Sequence, residues 1–288
     1  MFNMTFYEFS VITNTGFPYY NLILNTPPSG VNLNLRFFDF TQQNLEPLTK
    51  LDPVSSFELN AGLVSALFEF ARNIDKKIEI IEFKSSKKNP ANPDTNQYEG
   101  DVLITTQSES YLLQKSVKAK IKIIYNLVIA DKIPLDSALE LLQNEEDKII
   151  EILTDKEARN RVDAQKKEVN RLADDFLKEM SSYGLKGICI TSFDLSPIKS
   201  FGTLFSLADI DAILRNISVF PNMSTLEWIY RQSYFSNEQL WVYIIKSGVG
   251  PTLNGLFEPY FYLLFADPQS YLSEFPGKLA SMFDQILG

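Results

Sequence analysis

The stretch YLLQKSVKAKIKIIYNLVIA, residues 111–130, decides the fold, because its apolar residues fit both the period of a strand and the period of a helix. Over residues 117–123 apolar side chains alternate with lysines, which is typical of a β-strand. Over the longer window apolar residues recur every three to four positions, which is typical of an amphipathic helix. The residues of that helical stripe are Leu113, Val117, Ile121, Ile124 and Val128.

An internal comparison decides between the two periods. An ungapped alignment relates Val102-Leu103-Ile104, Ser110-Tyr111-Leu112 and Lys118 to Tyr262-Leu263-Leu264, Ser270-Tyr271-Leu272 and Lys278. A second match, in the same order, relates Ile12-Thr13 and Pro18 to Ile190-Thr191 and Pro197. Together they indicate one domain plan that occurs twice. We therefore predict a helix over Tyr111–Ala130, with a Ser-Tyr-Leu segment that begins the last helix of each copy.

The second copy predicts the element order β-β-α-β-β-β-α, an antiparallel sheet with helices packed on it. Ser206 is suited to cap its first helix, which has a buried face containing Ile210, Ile213, Leu214 and Ile217. The predicted strands are Lys186–Phe193, Ile198–Phe201 after a turn at Asp194–Pro197, Leu226–Phe235, Gln239–Lys246 and Pro259–Phe265, and the final helix is Tyr271–Leu287.

The first copy follows the plan less clearly. Its predicted elements are a hairpin of Phe6–Thr13 and Phe17–Leu24, a strand at Leu33–Phe40 that continues or pairs with this hairpin, a helix at Phe57–Asn73, strands at Lys77–Phe83 and Val102–Thr105, and a surface loop at Lys84–Gly100.

Two helices, Ile133–Leu153 and Asp155–Met180, are predicted between the copies, with a capping box at Thr154–Glu157. The second has a narrow apolar stripe, so it packs either on the protein's own domains or in a coiled coil with another chain. The stripe contains Val162, Val169, Leu172, Phe176 and Met180. The predicted organisation is a domain at 1–132, a helical connector at 133–183 and a second domain at 184–288.

Composition excludes several classes of function. The 288 residues include no histidine, which removes the Ser-His-Asp and Cys-His nucleophiles and the histidine zinc sites, and the single Cys189 forms neither an internal disulfide nor a multi-cysteine metal site. The net charge of −9 disfavours nucleic acid. No membrane-spanning or signal segment is expected. The sequence thus predicts a cytoplasmic protein that is not an enzyme and uses no cofactor or metal.

Candidate binding residues are few. Lys115, Lys118 and Lys122 lie on the helix face opposite the apolar stripe, and form either an ordinary solvated face or a basic strip that docks on anionic lipid or an acidic partner. Pro251 and the lack of a Gly-Lys-Ser/Thr sequence make Gly248–Pro251 a strand connection rather than a phosphate loop. The acidic runs Glu145–Asp147 and Asp174–Asp175 are expected to be solvated, and Cys189 to be buried.

The order β-β-α-β-β-β-α, with a strand-turn-strand opening, a first helix containing Leu63–Phe70 and a closing strand-loop-helix, resembles the longin domain, a relative of the roadblock fold. The resemblance covers roughly Met1–Ala130 and Gly184–Gly288, and the first copy departs from it in showing one central strand less clearly. It implies an α+β fold of two longin-like domains, each with about five antiparallel strands and flanking helices, joined by a helical connector.

Proteins similar to longin domains act on small GTPases or in trafficking and membrane-associated assemblies, and pair through sheet edges and helices. The resemblance therefore implies a non-enzymatic scaffold, cytoplasmic or peripheral to a membrane, whose partner is a small GTPase or another longin or roadblock protein. It would suit an archaeal lineage rich in small GTPases. Two alternatives are a homo-oligomer or adaptor joined through the connector helices, and a histidine-free hydrolase that uses carboxylates.

Overall fold

The computed structural model describes residues 4–13, 17–40, 62, 65–67, 69–73, 102–133, 139–218 and 221–288. The fold is α+β, with antiparallel sheets and several helices. The chain divides into two compact units, one of Met1–Phe40 with Gly100–Gly288 and one of Thr41–Glu99. None of the helices in the described ranges has the length and apolar composition needed to cross a bilayer. The domain limits 1–132, 133–183 and 184–288 stay a prediction.

In the unit Thr41–Glu99 the described residues form a helix within 62–73, α1. Ala71 is buried, and Arg72 Nη1 lies 3.0 Å from Glu69 Oε1. These residues confirm the described part of the predicted helix Phe57–Asn73. The predicted strand Lys77–Phe83 and loop Lys84–Gly100 lie outside the described residues.

In the other unit, a four-stranded sheet has the order β2-β1-β4-β3. Its strands are β1 (Phe6–Thr13), β2 (Pro18–Ile23), β3 (Leu33–Asp39) and β4 (Val102–Glu109). The predicted hairpin of β1 and β2 is confirmed. The strand predicted at Leu33–Phe40 pairs with β4 instead of the hairpin, because β4 occupies the free side of β1.

The helix predicted over Tyr111–Ala130 is confirmed as α2 (Gln114–Ile124), which continues into a π-helical turn and a 3-10 turn that ends at Lys132. Its stripe residues Val117, Ile121, Ile124 and Val128 are buried. The helix does not begin at the Ser-Tyr-Leu segment. Leu113 has an extended backbone and its carbonyl accepts the first helical hydrogen bond, from Val117 N–H at 3.0 Å.

A five-stranded sheet has the order β6-β5-β11-β8-β7. Its strands are β5 (Leu185–Thr191), β6 (Pro197–Phe201), β7 (Trp228–Phe235), β8 (Glu238–Lys246) and β11 (Phe261–Ala266), and a separate small hairpin consists of β9 (Thr252–Leu253) and β10 (Leu256–Phe257). Each strand predicted here is present. The first turn is one of Ser192–Ser196, closed by a 2.9 Å hydrogen bond from Ser192 N–H to Ser196 O, instead of Asp194–Pro197.

Helix α6 (Leu207–Arg215) covers one face of this sheet and contributes Ile210, Ile213 and Leu214 to the core. The predicted cap is confirmed, since Ser206 Oγ accepts a 3.2 Å hydrogen bond from Asp209 N–H. Helix α7 (Phe275–Leu287) lies on the opposite face and begins four residues later than predicted from Tyr271. Pro276 lacks an N–H, so it is tolerated in the first turn of a helix but not farther inside.

The described part of the connector contains three α-helices where two were predicted, α3 (Gln143–Leu153), α4 (Lys156–Ala164) and α5 (Lys166–Met180). The predicted capping box at Thr154 is not formed, because the Thr154 hydroxyl donates to Ile150 O at 2.7 Å and Asp155, with φ of 55°, precedes α4. The apolar stripe packs against the protein's own five-stranded sheet, which leaves it unavailable for a coiled coil with another chain.

Gly250 and Gly277 offer a matched test of how closely the backbone at Gly250 approaches Glu258. A Cβ on Gly250 would overlap the carbonyl oxygen of Glu258, whereas a Cβ on Gly277 would meet no atom within 4 Å. We expect Gly250→Ala to lower the free energy of unfolding by about 1–3 kcal/mol, because the loop must move. We expect Gly277→Ala to raise it by up to about 1 kcal/mol, because alanine loses less backbone entropy in a helix. Urea denaturation measures both, and equal stabilities would contradict the close contact at Gly250.

Candidate functional site

The five-stranded sheet ends at β7, which pairs on one side with β8 and with no other strand among the described residues. Its eight residues include no proline and no lysine, its pairing has no register shift, and Arg231 is its only charged residue. Natural proteins commonly protect edge strands with prolines, lysines or bulges. Since β7 has none of these three devices and pairs with no second strand among the described residues, its outer edge is suited to pairing with another chain, with Arg231, which donates to Tyr230 O, as its one charged residue.

An aromatic patch lies on one face of β7 and β8 and consists of Trp228, Tyr230, Tyr234 and Trp241. Tyr230 is 48% exposed and Tyr234 is 54% exposed, whereas the two tryptophans are partly buried. The β7 members share a face because they are separated by even numbers of residues, and Trp241 joins them because it pairs with Gln232.

Contacts between rings fix the geometry of the patch. Tyr230 and Trp241 stack with centroids 4.8 Å apart and planes 21° apart. The buried Tyr243 ring lies 5.8 Å from Tyr230 and 5.7 Å from Trp228. Its hydroxyl donates to Ser270 O, and burial raises the pKa of Tyr243. The exposed rings therefore stand on a packed aromatic base.

The patch lies at the margin of the core that the helices on this face share with the sheet. Residues of α5 and α7, including Phe176 and Phe283, join that core with β5, β6, β8 and β11, while Trp228 and Trp241 pack at its margin. Large exposed aromatic surfaces commonly mark protein interaction sites. A cavity of about 190 Å³ near the β7–β8 turn, lined by Leu204, Phe205 and Leu240 among others, is smaller than the ~300–1,000 Å³ typical of small-molecule sites.

A buried charge cluster surrounds Lys120 of α2. The Lys120 side chain is fully buried, with Nζ 2.6 Å from Asp155 Oδ1 and 2.5 Å from Asp194 Oδ2. The same Nζ lies 5.4 Å from the ring centroids of Phe6 and Phe193. Asp194 also accepts hydrogen bonds from the Ser192 hydroxyl at 2.6 Å and Ser196 N–H at 2.9 Å. Lys120 thereby joins α2 to the β5–β6 turn and to the start of α4.

Burial and neighbouring charges set the ionisation of this cluster. Burial favours neutral Lys120, yet Asp155 and Asp194 together raise the pKa of the ammonium group. Burial would raise the pKa of Asp194, but Lys120 and the turn hydrogen bonds lower it overall. Burial, reinforced by Asp194, raises the pKa of Asp155 to about 6. Burial and then Asp155 raise the pKa of Glu258 to about 8.

Other polar contacts follow the same path between the two sheets. Glu109, at the end of β4, accepts two hydrogen bonds from Arg215 of α6, at 2.6 and 2.8 Å. The Tyr111 hydroxyl donates to Asp211 at 2.6 Å, and Thr5 Oγ1 lies 2.7 Å from Ser196 Oγ. The first sheet and α2 are therefore fixed to the second sheet and to α6 by buried and partly buried polar pairs as well as by apolar packing.

The structure shows the exposure and the contacts of the predicted site residues. Lys115, Lys118 and Lys122 are exposed, Lys115 donates to Asn222 at 3.0 Å, and the basic strip stays a prediction. Glu145 accepts from Leu142 N–H at 2.8 Å. The remaining residues are placed as expected: Asp174–Asp175 exposed, Cys189 buried and Gly248–Pro251 a loop between strands.

Two features escaped the sequence prediction. Lys120 lies three residues after Val117 and four before Ile124, hence within the apolar stripe, which is the signal that marks it as buried. The aromatic patch has a signal in the alternation of Trp228 and Tyr230, but its exposure depends on where the helices lie. No protein-family model and no curated protein matches this chain.

A histidine-free hydrolase would need converging carboxyl groups with raised pKa values. The carboxyl groups of Asp155 and Glu258 both have raised pKa values. Each of these two residues is, however, only 5% exposed. A small cavity nearby, lined by Thr154 and Arg159 among others, has no room for a water molecule. The cluster therefore offers a substrate no access, and its geometry is that of a structural ion network.

The charge of Lys120 is testable against an exposed lysine of the same helix. We expect Lys120→Met to lower the free energy of unfolding by about 3–5 kcal/mol, because it leaves two carboxyl groups buried without their partner. We expect Lys118→Met, on the solvated face, to change it by less than about 0.5 kcal/mol. Guanidinium denaturation at pH 7 compares them, and a Lys120 variant as stable as the Lys118 variant would show that the ion pairs contribute nothing.

The raised pKa of Glu258 predicts a dependence of stability on pH. Between its unfolded pKa near 4.5 and its folded pKa near 8, the folded chain keeps a proton that the unfolded chain has lost, so stability falls as pH rises. The interval from pH 6 to 8 reports mainly on Glu258. The chain has no histidine that would titrate there, and Asp155, with a pKa of about 6, is already half ionised at the lower end of the interval. We expect a loss of about 2 kcal/mol across that interval.

Glu258→Gln is the control for this dependence, because glutamine keeps the shape of the side chain and does not titrate. Urea denaturation at half-unit steps of pH should give a flatter curve for this variant than for the native chain. Parallel curves would assign the slope to another group.

Proposed function

We propose that this chain is a non-enzymatic protein-interaction scaffold that binds its partner at the free edge of β7 and the adjoining aromatic patch. The observation that carries the proposal is that β7, the edge strand of the sheet among the described residues, carries Tyr230 and Tyr234, each about half exposed. A partner strand added to β7 would satisfy its outer backbone groups and cover the rings. Tyrosine and tryptophan are the residues that most often dominate the energy of such interfaces.

The resemblance to longin and roadblock domains supports the choice of partner. Apart from the small β9–β10 hairpin, the order β5-β6-α6-β7-β8-β11-α7 of the second half follows the pattern on which the resemblance was based. We extend the proposal to two longin-like domains that act in the cytoplasm, at or near a membrane, on a small GTPase or a trafficking-type assembly. The homo-oligomer alternative is less favoured, because the apolar stripe of α5 is already packed on the five-stranded sheet.

Binding to small GTPases tests the proposed function. Each small GTPase encoded in the same genome is loaded with GDP or a non-hydrolysable GTP analogue, and complex formation is measured by gel filtration with light scattering. We expect a 1:1 complex that depends on the nucleotide, and we expect Tyr230→Ala to weaken it about tenfold or more, as at interface hot spots.

Tyr183→Ala is the matched control, since Tyr183 is as exposed as Tyr234 but lies outside the patch, against Phe275. It should leave binding unchanged. The absence of a complex with every GTPase in both nucleotide states would refute the choice of partner. Equal loss of binding in the two tyrosine variants would refute the choice of surface.

A further inference from the structure

The face of β7 and β8 that carries the aromatic patch has no charged side chain. Arg231 is on the opposite face of β7, where its guanidinium donates to Tyr230 O at 2.9 Å. The residues of the patch face are Trp228, Tyr230, Gln232 and Tyr234 on β7, paired with Ile245, Tyr243, Trp241 and Gln239 on β8. A partner cation placed on this face would therefore meet no like charge there.

Aromatic ring faces attract cations, because the quadrupole of the ring is negative at its face. Arginine is especially suited to such rings, since its planar guanidinium both stacks and keeps its charge. The chain as a whole has a net charge of −9, which draws a positive partner towards it and disfavours an acidic one.

The spacing of the rings matches an extended segment. Trp228, Tyr230 and Tyr234 are separated by two and by four residues, so their side chains lie on the same face of β7. A strand paired with β7 presents every second side chain on that face. Successive side chains on that face of such a strand would lie about 7 Å apart, which matches the step from Trp228 to Tyr230, and Tyr234 lies two such steps beyond Tyr230.

From the free edge, the ring spacing and the charge, we infer that the partner segment bound by β7 is an extended basic strand with arginines at alternate positions, whose guanidinium groups lie over Tyr230, Tyr234 and the neighbouring tryptophans. This inference rests on the proposed function and specifies the chemistry of the partner at the same surface. The backbone of the segment supplies strand pairing, and its arginines select it among extended segments.

The chain contains its own reporter, because Trp228 and Trp241 are its two tryptophans and both belong to the patch. Tryptophan emission is therefore titrated with an eight-residue capped peptide of alternating arginine and threonine. Glutamate-threonine and serine-threonine peptides of equal length serve as controls. We expect a saturable change with the arginine peptide, weaker at high salt, and none with either control.

Two changes separate the contributions of the rings and of the edge. Tyr230→Ala should weaken the arginine peptide roughly two- to fivefold, as expected for one exposed cation–π contact, and Tyr183→Ala should not. Methylation of the peptide amides that would face β7 should abolish binding. Equal binding of the serine or glutamate peptide, or full binding of the methylated peptide, would overturn the inference. A GTPase complex that forms while the arginine peptide fails would leave the proposed function standing and remove only this specificity.

Discussion

The burial of one ammonium group, that of Lys120, is the constraint on which the arrangement of the larger unit depends. Lys120 belongs to α2, whereas its partners belong to the β5–β6 turn and to the residue before α4. An unpaired ammonium cannot remain charged in such an environment, so the three segments must meet for any of them to be buried. This requirement explains why Asp155 accepts a left-handed backbone at that point.

The position of the proposed interaction surface is a consequence of that arrangement. With α2 and the β5–β6 turn fixed, β6 and β5 lie beneath α5 of the connector, and α7 packs against β8. The edge strand β7 then lies at the margin of the core that these helices share with the sheet. Tyr230 and Tyr234 are exposed for this geometric reason, whereas Trp228 and Trp241 at the margin are partly buried.

Local patterns predicted most of the elements in the second half, because each strand there has a clear apolar period and its turns contain recognisable residues. Prediction failed where a tertiary contact overrides a local preference. Thr154 has the sequence of a helix cap, yet its hydroxyl bonds to the preceding helix, since the burial of Asp155 fixes the backbone. Likewise, the Leu33–Phe40 strand pairs with β4, a partner more than sixty residues away that no local pattern identifies.

The candidate site was harder to predict for a related reason. Alternating aromatic residues indicate a strand, but the same alternation occurs in strands with both faces buried. What distinguishes β7 is the combination of a terminal position in the sheet with the absence of edge protection, and only the first of these requires the structure. An unprotected edge carries a risk of aggregation, which natural proteins normally avoid. An edge of this kind beside exposed tyrosines supports the proposal that another chain covers this surface, whatever the identity of that partner.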